Sequence, residues 1–351
     1  MKPVLYLLTV FTFAVSAFAQ SGRVKPAETP TPRPNTQPRV IYVPTQSSTN
    51  SPSPRATPTP ARDDEVVKVA STLVPIPVSV LDANGRSVSN LRLSDFELKI
   101  DGQVVEISEL ARSETPIRLA MLFDNSSSVL IAREFEKDAA VRFFRRVIRP
   151  EKDLAALYSV ATTTELEQSF TSEISSLTRA IELFPPPEGA TALLEGIIQA
   201  TEYLREVRGR RVMIIVSDGD DTKSDVTFDE TLRSLQVANC QVYVVKTTDF
   251  ENYKRTGSRR GNANIRQLAA ERRMSEITGQ TGGAVYSPID ERELDDAFRQ
   301  ISAELSQQYI LSYYPDNDAE KRGEFREINL TLKNKSGFSL RTRKGYYVPK
   351  K

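Results

Sequence analysis

The sequence predicts an α/β fold, a doubly wound and mostly parallel sheet, flanked by a small antiparallel β domain built from N- and C-terminal segments. Three observations carry that expectation. Five short runs are apolar throughout, which marks strands buried on both faces. Helical stretches separate them, as the crossover connections of a parallel sheet require. The sequence before and after this block is β-type and punctuated by tight turns, which marks antiparallel pairing. The chain has 351 residues, so at ~150 residues per domain there is room for about two domains and additional segments.

The chain opens with Lys2, an apolar run from Val4 to Phe18, and the small-residue pattern Ala17-Phe18-Ala19. Residues 1–19 read as a secretory signal peptide cut after Ala19. The run is shorter than the ~20 apolar residues that a membrane span requires. The expected location is therefore the periplasm or the exterior, with no stable membrane span after cleavage. Residues 20–64 contain TPTPRPNTQP and SPSPRATPTP, and ten of the 21 prolines fall there. Such a stretch cannot pair strands or bury a core, and it reads as a disordered Pro/Ser/Thr-rich linker.

Residues 65–114 read as the first half of the β domain. VVKVASTLVPIPVSVLD is rich in β-branched residues and leads into Ala83-Asn84-Gly85-Arg86, a hairpin signal. Pro75 and Pro77 mark an edge or bulged strand. A second hairpin joins Phe96–Ile100 to Val104–Ile107 through Asp101-Gly102. Residues 115–308 hold the parallel unit. Its strands are expected at Ile117–Phe123, Leu154–Val160, Val212–Val216, Val242–Val245 and Ala284–Tyr286. Its helices are expected at Val129–Ile148, Ile174–Phe184, Ala192–Val207, Phe228–Ala238, Ile265–Thr278 and Glu291–Gln307. Residues 309–351 supply three more β-type runs, Tyr309–Tyr314, Phe325–Leu332 and Phe338–Tyr347. Too few strands precede the parallel unit to form a sandwich alone, so both halves are expected to pair around an inserted α/β unit.

Composition excludes several function classes. Lys and Arg number 47 against 46 Asp and Glu, which gives no general attraction to nucleic acid, and no nucleic-acid partner is expected. Histidine is absent, which removes Ser-His-Asp and Cys-His triads, an imidazole base and His-containing zinc sites. The single cysteine, Cys240, forms no internal disulfide and reads as a small buried hydrophobe.

Open α/β sheets place their chemistry at the carboxyl ends of the strands. There the sequence offers Asp124-Asn125-Ser126-Ser127-Ser128 after the first parallel strand and Ser217-Asp218-Gly219 after the third. Gly189-Ala190-Thr191 opens a helix after Pro185–Pro187. Singly, Ser128 and Thr191 read as helix N-caps and Asp218-Gly219 as a turn. Together they bring carboxylates and hydroxyls from three loops to one rim, a set that suits a hard divalent cation. The run Asp218–Asp225 is not an EF-hand loop, because Lys223 stands where that loop needs Gly. Tyr253–Gly261 is basic and reads as a solvated loop.

This arrangement resembles the von Willebrand factor A (VWA) family. Its metal-ion-dependent adhesion site combines Asp-x-Ser-x-Ser with a later Thr and a later Asp, and those positions fall on Asp124, Ser126, Ser128, Thr191 and Asp218. The resemblance covers Ile117 to Gln307. Leu93-Ser94-Asp95-Phe96, Asp101-Gly102 and Arg343-Lys344-Gly345-Tyr346-Tyr347 look like the VWA-related proteins abundant in acidobacteria. The chain departs from the family at Ser127, often Gly, and Val129, often Met; neither is a ligand. The resemblance implies an adhesion module holding Mg²⁺, with Mn²⁺ or Ca²⁺ as alternatives. An Asp or Glu of a protein partner would complete the shell, giving binding rather than turnover. Two other classes stay open: a metal-assisted hydrolase using Glu188, Glu195, Asp220 or Asp221 as base, and a metal-free envelope scaffold.

Overall fold

The computed structural model describes residues 73–127, 133–258, 265–315, 321–333 and 336–350. The expected signal peptide and linker, Ser128, Val129 and residues 259–261 of the basic run lie outside the described residues. No helix among the described residues is long and apolar enough to cross a membrane.

The α/β unit is a six-stranded mixed sheet. Its strands are β5 (Ile117–Asp124), β6 (Leu154–Val160), β7 (Thr164–Thr171), β8 (Arg210–Ser217), β9 (Gln241–Lys246) and β10 (Val285–Tyr286), in the order β10-β9-β8-β5-β6-β7. All neighbours are parallel except β6 and β7. The antiparallel edge strand β7 was not expected. TELEQSFT has no buried position, so it lacks the apolar signature that identifies its neighbours. Helices cover both faces. On one, α1 (Arg133–Val147), α2 (Ile174–Glu182), α5 (Thr248–Thr256) and α7 (Glu291–Gln307) pack on Ile117, Leu119, Met121 and Phe123 of β5. On the other, α3 (Leu193–Arg205), α4 (Phe228–Val237) and α6 (Ile265–Thr281) cover Ala120 and Leu122. Alternate residues of one strand thus serve two cores, the physical reason its sequence is apolar throughout.

Local chemistry sets the helix ends. Thr227 and Glu230 form a capping box at α4, and the Asp290 carboxylate accepts from Arg292 N and Glu293 N at α7. Tyr253–Thr256, expected as loop, instead forms the last turn of α5. That helix buries only Phe250, too little apolar periodicity to be read from sequence.

The flanking strands form two four-stranded antiparallel sheets. One has the order β13-β1-β11-β4, from β1 (Val74–Leu81), β4 (Glu109–Arg112), β11 (Tyr309–Tyr313) and β13 (Ser339–Thr342). The other is β14-β12-β2-β3, from β2 (Phe96–Ile100), β3 (Gln103–Val105), β12 (Phe325–Leu332) and β14 (Gly345–Tyr347). N- and C-terminal halves therefore pair directly, β1 with β11 and β13, and β2 with β12. They share one core containing Ile76, Phe96, Leu98, Leu311, Tyr313 and Tyr346. Three details differ from expectation. Phe338–Tyr347 breaks into two strands belonging to different sheets. The Ala83–Arg86 turn closes only a single bridge, Leu81 to Ser87. Finally β1 is a central strand, not an edge, yet it pairs with β13 only from Val78 onward. Pro75 and Pro77 lie outside that ladder, and their carbonyls accept from Arg343 Nη2 and Thr342 Oγ1 at 2.9 Å each.

The chain enters the α/β unit from β4 and leaves it through α7 into β11, two strands paired side by side. Buried polar contacts tie the junction. Arg210 donates to Ser113 Oγ at 2.9 Å and to Leu305 O at 2.8 Å, and Gln308 donates to Ser79 Oγ at 3.0 Å.

Candidate metal centre

The chain runs from β5 outward to β6 on one side and later returns to β8 on the other, so strand order reverses between β5 and β8. Crevices form at the carboxyl ends of strands at such a point. Asp124 is the last residue of β5 and Ser217 the last of β8, with Asp218 next. The two loops leave the sheet side by side.

Asp124 is buried at 4% exposure. Its Oδ1 accepts from Ser126 N at 2.9 Å and its Oδ2 from Ser217 Oγ at 2.6 Å. Burial, then the charge of Asp218, raises its pKa to about 6, against the opposing hydrogen bonds of Ser126 and Ser217. A buried acid is thus held near a second, half-buried one. Ser217 also accepts from Gly219 N at 2.9 Å, and Asp218 Oδ1 accepts from Asp220 N at 2.9 Å. Gly219 takes φ of +79°, a left-handed turn that costs a side-chain-bearing residue.

Thr191 is buried on the third loop. Its carbonyl accepts from Thr222 N at 2.9 Å and Lys223 N at 3.1 Å, which binds it to the segment after Asp218. Two residues earlier, Gly189 has φ of +75° and sits so close to Thr162 that a Cβ would lie 2.5 Å from its Oγ1. The Asp124 loop is laced to the same segment: Glu188 N donates to Asn125 O at 2.9 Å and Ser127 N to Gly189 O at 3.4 Å. Arg133 donates to Asn125 Oδ1 and, at 2.5 Å, to Pro185 O, under the proline turn. Of the five expected ligands, Asp124, Ser126, Thr191 and Asp218 therefore lie on one rim of three interlocked loops. Ser128 lies outside the described residues.

Three acids considered as catalytic bases are engaged locally. Asp221 Oδ1 accepts from Leu193 N at 3.0 Å, Glu195 Oε1 from Asp225 N at 3.0 Å, and Asp220 pairs with Arg266 at 2.6 Å. Two contributors were not foreseen. Ser217 was visible as a motif member, but its bridge from Asp124 to Gly219 N depends on two strands meeting. Glu136 of α1, 2% exposed, is raised well above the usual carboxylate range by burial and then by Asp124, Glu251 and Asp218. A charged residue on the otherwise apolar stripe of Ala139, Ala140, Phe143 and Val147 was its sequence signal.

Hard-cation chemistry fits this donor set: two carboxylates, hydroxyls and no nitrogen or sulfur ligand. Among the described residues no group of three or more Asp, Glu, His or Cys side chains forms a ligand cluster, so neutral oxygens would have to complete such a shell.

The model of the von Willebrand factor type A domain matches residues 119–300, a little over half the chain. The chain belongs to the von Willebrand factor type A family. The VWA match begins inside β5 and ends inside α7, so it spans all three site loops. Among solved structures, similarity extends to the PilB minor pilin from Streptococcus sanguinis, with TM-score 0.43 and 11% identity over 56% of this chain and 62% of that one. This VWA chain thus spans less than two thirds of that pilin. The conserved hypothetical protein BatB from Bacteroides thetaiotaomicron gives TM-score 0.42 and 16% identity over 54% and 98%. The vWF domain of the type V pili tip protein Mfa5 from Porphyromonas gingivalis gives 0.30 and 21% over 32% and 42%. No curated protein sequence matches the chain.

Proposed function

We propose that the chain is an exported protein-binding module whose partner recognition depends on a divalent cation, Mg²⁺ foremost, held by Asp124, Ser126, Ser128, Thr191 and Asp218. The observation that carries this reading is the placement of Asp124. A carboxylate buried beside a second one, with a pKa raised to about 6, is costly unless a positive charge joins the pair. When bound, a divalent cation supplies an oxygen-binding position that an outside carboxylate completes. Asp124 and Asp218 provide the attraction, and the hydroxyls of Ser126, Ser128 and Thr191 provide neutral oxygens. Ser217 fixes the orientation of Asp124, and the interlocked loops hold the donors in place before the partner arrives. The segment 1–19, read as a signal peptide, agrees with export to the periplasm or the exterior.

The test is retention of envelope proteins on the immobilised chain. The wild type retains a partner in Mg²⁺ and releases it in chelator, and Asp124→Ala retains none. Retention indifferent to chelator would make a metal-free scaffold the better reading.

A further inference from the structure

Among the described residues two glutamates are buried in helices against the same sheet, and they differ in how their carboxylates are partnered. Glu304 of α7, 2% exposed, is paired with Arg341 at 2.5 Å and accepts from Tyr286 Oη at 2.7 Å and Tyr243 Oη at 3.3 Å. Glu136 of α1 is equally buried, yet its Oε1 has no hydrogen-bond partner. The charges acting on Glu136 are the acids Asp124, Glu251 and Asp218 and the guanidinium of Arg133. Arg133 also donates to Asn125 Oδ1 and Pro185 O. A glutamate kept for packing alone would be replaceable by Leu or Met, which fill the same stripe without a desolvated charge.

We propose that Glu136 is a positioning residue of the cation site, acting on the ion from the buried side and outside its direct ligand shell. This rests on the cation reading above. Glu136 lies on α1 behind the Asp124 loop, to which the first turn of that helix is tied by Arg133, and not on any of the three loops that carry the proposed ligands. The role follows from the unpaired buried oxygen and its acidic neighbours. In a poorly hydrated interior a carboxylate acts on a double charge over several ångströms with little screening, and acids beyond the direct ligands tune metal affinity in the same manner.

The experiment titrates MgCl₂ into the full chain by calorimetry, for wild type, Asp124→Ala, Glu136→Gln and Glu136→Asp, with melting in chelator as a fold check. Glu136→Gln melts at or above the wild-type temperature without metal and binds Mg²⁺ roughly tenfold more weakly. Glu136→Asp, which keeps the charge, recovers part of that loss, and Asp124→Ala shows no saturable binding. Unchanged Mg²⁺ affinity in Glu136→Gln, with binding abolished in Asp124→Ala, overturns the role of Glu136 and leaves the cation site standing. A wild type without saturable binding overturns both.

Discussion

Asp153 and Asp124 are both buried against β5, one at its amino end and the other at its carboxyl end, yet their neighbours push them in opposite directions. Burial alone would raise the pKa of Asp153. Arg149 reverses this with hydrogen bonds from Nε at 2.7 Å and Nη2 at 2.8 Å, joined by the backbone N–H groups of Ile117 at 2.7 Å and Arg149 at 2.9 Å, and the carboxyl is held below its usual range. Asp124 accepts hydrogen bonds from Ser126 and Ser217 and faces another acid, and it is raised to about 6. The first arrangement is a finished structural contact that pins the start of β5 to the loop before β6. The second stores repulsion that a bound cation would relieve, which is the imbalance the proposed binding role draws on.

The largest effect that separates the two ends is the loss of Asp153. Asp153→Ala leaves Ile117 N, Arg149 N and the guanidinium without their acceptor. It should destabilise the protein by about 2 to 3 kcal/mol, less than for a fully buried pair because Arg149 is partly exposed and rehydrates. Urea melts of the two proteins measure it. Asp124→Asn should act in the opposite sense. In chelator it removes the repulsion with Asp218 and gains about 1 to 2 kcal/mol, read from the same melts. A loss there would place Asp124 with Asp153 as a structural group.

Smaller, Ser217→Ala removes the hydroxyl that bridges Asp124 to Gly219 N and should cost about 1 kcal/mol, detectable as a lower urea midpoint. The pH dependence sharpens the contrast by its sign. For Asp124 the folded pKa lies above the unfolded value, so its favourable contribution is complete below about pH 4 and is lost as pH rises through about 6. The advantage of Asp124→Asn in chelator should accordingly be near zero at pH 4 and full at pH 7. For Asp153 the folded pKa lies below the unfolded one, so its contribution is present above about pH 4 and disappears on further acidification. The deficit of Asp153→Ala should narrow only there.

Legibility from sequence followed burial. β5, β6, β8 and β9 are apolar on both faces and could be placed within a residue or two. The edge strand β7 and the helix α5, which bury little, could not. Phe338–Tyr347 is a single β-type run, and only the approach of Lys344 N to Gln280 O and of Ile328 N to Lys344 O reveals where it leaves one sheet for the other. At the candidate site, the short motifs placed Asp124, Ser126 and Asp218 at strand ends and Thr191 just before α3, where the structure has them. Ser217 as a bridge and Glu136 as a buried neighbour were not legible, because each gains its role from an element distant in the chain.

The most direct test of the central claim is thermal melting of the wild type and Asp124→Ala, each with saturating Mg²⁺ and with chelator. Saturation at a hundredfold the Kd contributes about 2.7 kcal/mol, so the wild type should melt several degrees higher in Mg²⁺ and Asp124→Ala at one temperature in both. An equal Mg²⁺-dependent rise in Asp124→Ala, or none in the wild type, would contradict a cation held at the carboxyl ends of β5 and β8.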